Sequence, residues 1–315
     1  MIRSAASRLL LVLSAGYILM YFSEHMFWAR FRPESDSPAN YLSTWIAYSL
    51  AGYAAMAVIS LFRVRRAAAV FLAGAVFGWL VEGVIVGTTY EALPLSISFT
   101  GLAWHALISM GIGLWLIPAI LSRRSILAVP AAITIGLFFG AWGIHWNADE
   151  AEYHVSAPEF ILFAAVTTVL LILAYQIFTA VRRSPIRIHP AEGVLLAALA
   201  LFFFYFQAAA QPIAACVMPV LMGITFLALW RNRRKETGGS LLAEPLAPLP
   251  AWALAALLLI AAAAAAVYVP AVWIGLKIPT NIFFYLILMP LGFILYFVSL
   301  WRIWTTSDHQ VVMPA

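Results

Sequence analysis

Only 13 of the 315 residues are acidic and six are histidine, so those that fall inside long apolar stretches stand out as groups able to do proton or metal chemistry. Glu82 leads them. It continues the row Gly74, Gly78, Glu82 at steps of four, and residues four apart share a helix face. Glycines at that spacing mark a face that another helix approaches closely, so the carboxylate is expected to point into a bundle. Inserting an acid at the centre of an apolar span costs about 2.5 to 3.5 kcal/mol, which makes Glu82 a functional candidate by default. His105 repeats the pattern in the row Gly101, His105, Ser109, Gly113. The two lie at similar depth on consecutive stretches of opposite direction. They are expected to face one another as an acid–base pair.

Further candidates collect around this pair. Glu24 and His25 close the first apolar stretch, with His25 on the row Tyr17, Tyr21, His25; Trp28 and Arg30 follow at once, which equally suits a membrane interface. His145 closes the fifth stretch, ahead of an acidic loop with Asp149, Glu150, Glu152 and His154. Tyr90 and Glu91 sit in the short connection above Glu82 and His105, as the mouth of a site or as a solvated turn. Ser156, Pro158 and Glu159 have the spacing of a capping box with proline in the first turn, a structural explanation for Glu159. His25, Glu82, His105 and His145 carry imidazole and carboxylate groups of the kind zinc or iron accepts. Bis-histidine haem ligation is another arrangement they permit. No HExxH, CxxC, P-loop, GxGxxG or GxSxG motif occurs.

The elements that must position these residues are long helices. Hydrophobic residues make up 64% of the chain and charged residues 10%, against about 25% charge in a soluble domain. The uncharged runs are long enough to cross a bilayer of about 30 Å as helices and far longer than the roughly ten-residue strands of a membrane barrel. The fold class is therefore all-α, a polytopic transmembrane bundle. Ten spans are read at about 9–29, 42–62, 67–88, 96–121, 126–146, 158–181, 193–208, 212–230, 251–274 and 280–301. The stretch 193–230 is too long for one crossing, and Gln207, Gln211 and Pro212 suggest a turn inside it. Merging it gives nine spans as the alternative. Cys216 reads as a small buried hydrophobe, and one cysteine supports no disulfide framework.

Charge gives the orientation. With ten spans, one side holds Arg3, Arg8, Arg63, Arg65, Arg66, Arg123, Arg124, Arg182, Arg183, Arg187, Arg231, Arg233, Arg234, Lys235 and Arg302, the other only Arg30, Arg32 and Lys277. The positive-inside rule then predicts both termini in the cytoplasm. The net charge of +5 is thus a topology signal, and no nucleic-acid partner is implied. Nine of the thirteen acids, Glu34, Asp36 and Glu159 among them, fall on the outer side within the first six spans, while spans seven to ten as bounded above contain none. Three segments follow: a main bundle at 1–230 with its functional half at 1–181, a cytoplasmic linker at 231–250, and a two-helix hairpin with a short tail at 251–315. The first span, too long for a signal-peptide core, is read as a retained helix. The six alanines at 261–266 are expected to allow close helix contact. A bacterial-type cytoplasmic membrane is the expected location.

The segment ISFTGLAWH, residues 97 to 105, resembles the histidine-bearing helix of CPBP-type intramembrane proteases over those nine residues. That family's paired glutamates followed by an arginine are absent, Glu82 and Glu91 being nine apart, so the likeness points to intramembrane enzymology without assigning the family. Ten spans in about 300 residues with both termini inside also resemble the drug/metabolite transporter architecture in count and length. Two function classes follow: an intramembrane enzyme using Glu and His on a lipid-like or other apolar substrate from the outer side, and a proton-coupled transporter of small solutes. The concentration of acids on one side and in one half favours the enzyme. A non-catalytic scaffold or assembly subunit is the third reading.

Overall fold

The structure, a computed structural model, describes residues 5–32, 35–148 and 154–305. The chain is 82% helical, without strands among the described residues. Ten helices have the length and composition to cross a membrane: α1 (Ala5–Trp28), α2 (Pro38–Leu61), α3 (Ala67–Val86), α4 (Ser96–Arg123), α5 (Ser125–Asn147), α6 (Ala157–Val181), α7 (Pro190–Ala210), α8 (Ala214–Lys235), α9 (Ala251–Trp273) and α10 (Thr280–Thr305). This is a multi-pass membrane protein. The chain breaks between α7 and α8 at Gln211 to Ile213, where Pro212 cannot continue the first helix. Ten helices therefore stand where nine were the alternative.

Helix starts follow their capping residues. Ser156 accepts from the Glu159 amide and Glu159 returns a bond to the Ser156 amide, with Pro158 in the first turn. α7 begins earlier than its apolar run suggests. His189 acts as its cap, accepting from the Ala191 amide at 3.2 Å, while Glu192 accepts from the His189 amide. This corrects the view that span seven carries no acid: Glu192 stands in its first turn, where a carboxylate complements the helix dipole.

The chain divides into two units. One comprises 1–53, 111–184 and 245–288. Here small residues set the helix spacing: a Cβ on Gly140 would collide with the Ala264 carbonyl, and one on Gly136 would lie 2.7 Å from the Ala263 side chain. The alanine run thus lets α9 rest on the glycines of α5. Buried tyrosines tie α1 to α6, Tyr17 donating to the Thr167 carbonyl at 3.2 Å and Tyr21 pairing with the Thr168 hydroxyl at 3.0 Å.

The other unit comprises 54–110, 185–244 and 289–315. Within it 83% of the apolar stretch of α3 is buried, against 6% for α7. Leu201, Phe202, Tyr205 and Phe206 of α7 are all exposed; a helix apolar on every side suits a lipid-facing position. Cys216 is also exposed, on α8, which corrects the expectation of burial; in an apolar span, exposure means lipid contact and carries no penalty for a thiol. The end of this unit rich in arginine is stitched together. Arg65 pairs with Glu244 at 2.8 Å, Arg66 with Glu236 at 3.5 Å, and the Leu241 amide donates to the Val64 carbonyl at 2.9 Å.

Candidate functional site

Three stretches of the bundle depart from α-helical winding and run with π geometry: Tyr21–His25 in α1, Leu80–Val86 in α3 and Phe99–Leu116 in α4. π turns are uncommon and recur at functional sites. These three hold Glu24 with His25, Glu82, and His105, the candidates singled out from sequence.

In the second unit, α3 and α4 approach closely over the glycine rows. A Cβ on Gly74 would come within 2.9 Å of the Ala106 backbone, one on Gly78 would collide with the Gly101 carbonyl, and one on Gly101 would sit 2.8 Å from the Trp79 ring. That approach brings the side chains of Glu82 and His105 together. His105 Nε2 lies 2.6 Å from Glu82 Oε1. Both side chains are buried, and the Phe77 ring meets the imidazole edge-on at 5.6 Å. The second carboxylate oxygen accepts from the Thr88 hydroxyl. A carboxylate and an imidazole at this distance share one proton, which can rest on either atom. The α3 helix ends at Gly87, whose φ of +97° suits glycine, and whose amide returns to the Glu82 carbonyl at 2.9 Å, closing the last π turn.

The connection after Gly87 folds back over this end. Tyr90 is buried and donates to the Gly83 carbonyl at 2.6 Å; burial pushes its phenol up to about 12, so it stays protonated as a donor. Glu91 is exposed. Three threonines escaped the sequence reading: Thr88 bonds the carboxylate, Thr100 stands beside it, and Thr89 lies against Gly83. The hydroxyl of Thr89 is buried without a hydrogen-bond partner. The signal was available in the Gly-Thr-Thr-Tyr run directly after the acid's helix, since hydroxyls one turn beyond a buried carboxylate are placed to reach it.

The remaining candidates fall in the first unit, each with surroundings of its own. Glu24 accepts from the Tyr48 hydroxyl at 2.7 Å and from the Trp28 indole at 3.0 Å. His25 is buried among the rings of Tyr17, Tyr21, Tyr41 and Phe163, at 5.7 to 6.1 Å. His145 lies against Trp142 and Trp146, ring centroids 4.6 and 4.4 Å away, its Nδ1 on the Trp142 carbonyl. Glu34, Asp149, Glu150 and Glu152 lie outside the described residues.

Among the described residues no three His, Cys, Asp or Glu gather closely enough to hold a metal ion. Glu82 and His105 supply two such groups and threonines surround them, so the donor set does not fit zinc or iron as a resident ion. What the arrangement offers is proton exchange at a buried carboxylate–imidazole pair, with hydroxyl groups beside it. No protein-family model, curated protein or solved structure matches the chain.

Proposed function

We propose that the protein is an intramembrane enzyme that uses Glu82 and His105 for acid–base chemistry on a lipid-like substrate reached from the extracytoplasmic side. The observation that carries this reading is the 2.6 Å contact between Glu82 Oε1 and His105 Nε2 in a buried site. Thr88 holds the carboxylate from its other oxygen, which leaves Oε1 to the imidazole. In this reading His105 and Glu82 exchange that proton with the substrate, the carboxylate orienting the ring and stabilising its cationic form. The unpartnered hydroxyl of Thr89 supports it as a group able to hydrogen-bond a polar substrate atom. The acids on one side support the direction of access, and the basic residues a cytoplasmic membrane with both termini inside.

The test is to reconstitute the protein into nanodiscs with a total lipid extract and to follow lipid composition by mass spectrometry. A product should appear with the wild type and be absent with Glu82→Gln, which keeps shape and hydrogen bonding but cannot exchange a proton. An unchanged lipid profile with the wild type overturns the enzyme reading.

One observation favours a second reading, a proton-coupled transporter. Both oxygens of Glu82 are already engaged, and a proton relay needs no contact between dyad and substrate. Solute uptake driven by a pH gradient in proteoliposomes, lost in Glu82→Gln, is its signature.

A further inference from the structure

A cleft in the first unit holds polar chemistry that the dyad does not use. Glu24, His25, Trp28, Tyr41 and Phe163 line it, together with Arg30, Arg32 and Asp36. Its acid differs from Glu82 in kind of partner. The two oxygens of Glu24 accept from neutral donors, the Tyr48 hydroxyl at 2.7 Å and the Trp28 indole at 3.0 Å. Among the described residues no cation pairs with it. A carboxylate oxygen can accept more than one hydrogen bond, so the charge and part of the accepting capacity remain turned to the cleft.

His25 adds a second acceptor. Only 5% of it is exposed, it lines the cleft, and it packs among the rings of Tyr17, Tyr21, Tyr41 and Phe163, with the paired charges of Asp36 and Arg32 close by. The two arginines of this lining are already engaged, Arg32 standing 4.4 Å over the Trp28 ring. Arg32 is bound to Asp36 through Nε, the backbone amide and a terminal nitrogen, at 2.7 to 3.0 Å. Arg30 donates to the Phe31 carbonyl and stands 5.6 Å over the Trp146 ring. The cleft is partly open, and its cavity volume of about 20 Å³ gives room for at least one water-sized group.

We infer that this cleft binds a primary ammonium group. Such a group is water-sized, carries one positive charge and has three N–H donors. It would donate to Glu24, to a ring nitrogen of His25 and to the amide or hydroxyl oxygen of Asn40 or Thr44, which also line the cleft. The faces of Tyr41 and Phe163 attract the same charge. A trimethylated nitrogen has the charge but not the donors. The group can belong to a free amine or to the headgroup of an aminophospholipid, since the cleft lies at the end of an apolar span where headgroups sit. This site is independent of the acid–base reading of Glu82 and His105.

The experiment uses the full chain. Calorimetry in maltoside micelles measures methylammonium binding against sodium and tetramethylammonium; nanodiscs of mixed phosphatidylethanolamine, phosphatidylcholine and phosphatidylglycerol report the lipids retained on the protein. Saturable methylammonium binding, weakened at least tenfold by Glu24→Gln and by His25→Phe and not matched by sodium or tetramethylammonium, identifies a free-amine site. Retention of phosphatidylethanolamine over phosphatidylcholine, lost in the same two variants, identifies the headgroup. Glu24→Gln keeps an acceptor for Tyr48 and Trp28, and a thermal melt verifies that it folds; should it not, His25→Phe carries the test. Wild-type affinity in both variants, equal binding of tetramethylammonium or sodium, or binding from neither source overturns the proposal.

Discussion

Glu82 and Glu24 are both carboxylates in π-wound turns near the end of an apolar helix, and each has both oxygens hydrogen-bonded, yet their partners differ. Glu82 meets a titratable imidazole and a hydroxyl; Glu24 meets a phenol and an indole, which do not titrate near neutrality. The first arrangement can pass a proton along a fixed line, whereas the second holds a charge in place. What a carboxylate in a membrane protein does is therefore set by the proton affinity of what it touches more than by its depth.

The strongest destabilisation is expected one turn beneath Glu82. Gly78→Leu drives a side chain into the Gly101 carbonyl, which is backbone and cannot step aside, so a loss of about 3 kcal/mol is expected. A melt in detergent checks it. Next, Glu82→Leu strands a buried imidazole at a cost of about 2 kcal/mol, while Glu82→Gln should stay within about 1 kcal/mol of wild type. If the two variants melt alike, the hydrogen bond at 2.6 Å is not what holds the pair.

At Glu24 the corresponding change is Tyr48→Phe, which removes one neutral donor from a charged acceptor and should cost about 1.5 kcal/mol. It should leave every readout of the dyad unmoved; an altered Glu82-dependent activity in this variant would erase the distinction drawn above. The smallest effect is at the connection over α3. Tyr90→Phe loses the bond to the Gly83 carbonyl, worth about 1 kcal/mol. The phenol of Tyr90 is raised from 10 to about 12, so its stabilisation is complete below pH 10 and lost as pH climbs through 12. The melting difference between wild type and Tyr90→Phe should therefore shrink over that interval.

Much of this was legible in the sequence. Ten helices, the turn near Pro212 and the capping box at Ser156 follow from local composition. The glycine row led to Glu82 because close approach needs absent side chains, and Gly74 and Gly78 do face α4. Tyr17 and Tyr21 flank His25 as steps of four require. The π winding was not legible, since no residue type codes for it and it arises from how packed helices settle. The role of Tyr48 was hidden for another reason: it is set by a tertiary neighbour, and tyrosine in an apolar helix carries no signal until that neighbour is known. The units too were hidden, because 245–288 joins segments far back along the chain.

The segment from Glu236 to Glu244 has the composition of a loose connector, but its backbone is engaged: the Leu241 amide reaches Val64, the Ile186 amide reaches the Leu242 carbonyl, and two arginines grip its acids. Tolerance to inserted sequence follows backbone bonding more than loop appearance. A tag or domain spliced after Gly239 would have to tear out those bonds. The short connection between α9 and α10 bonds only to its own neighbours, and Gly275 has open space around it. For labels, fiducial domains or split reporters, the stretch at Gly275 to Lys277 is the place where the chain can be opened.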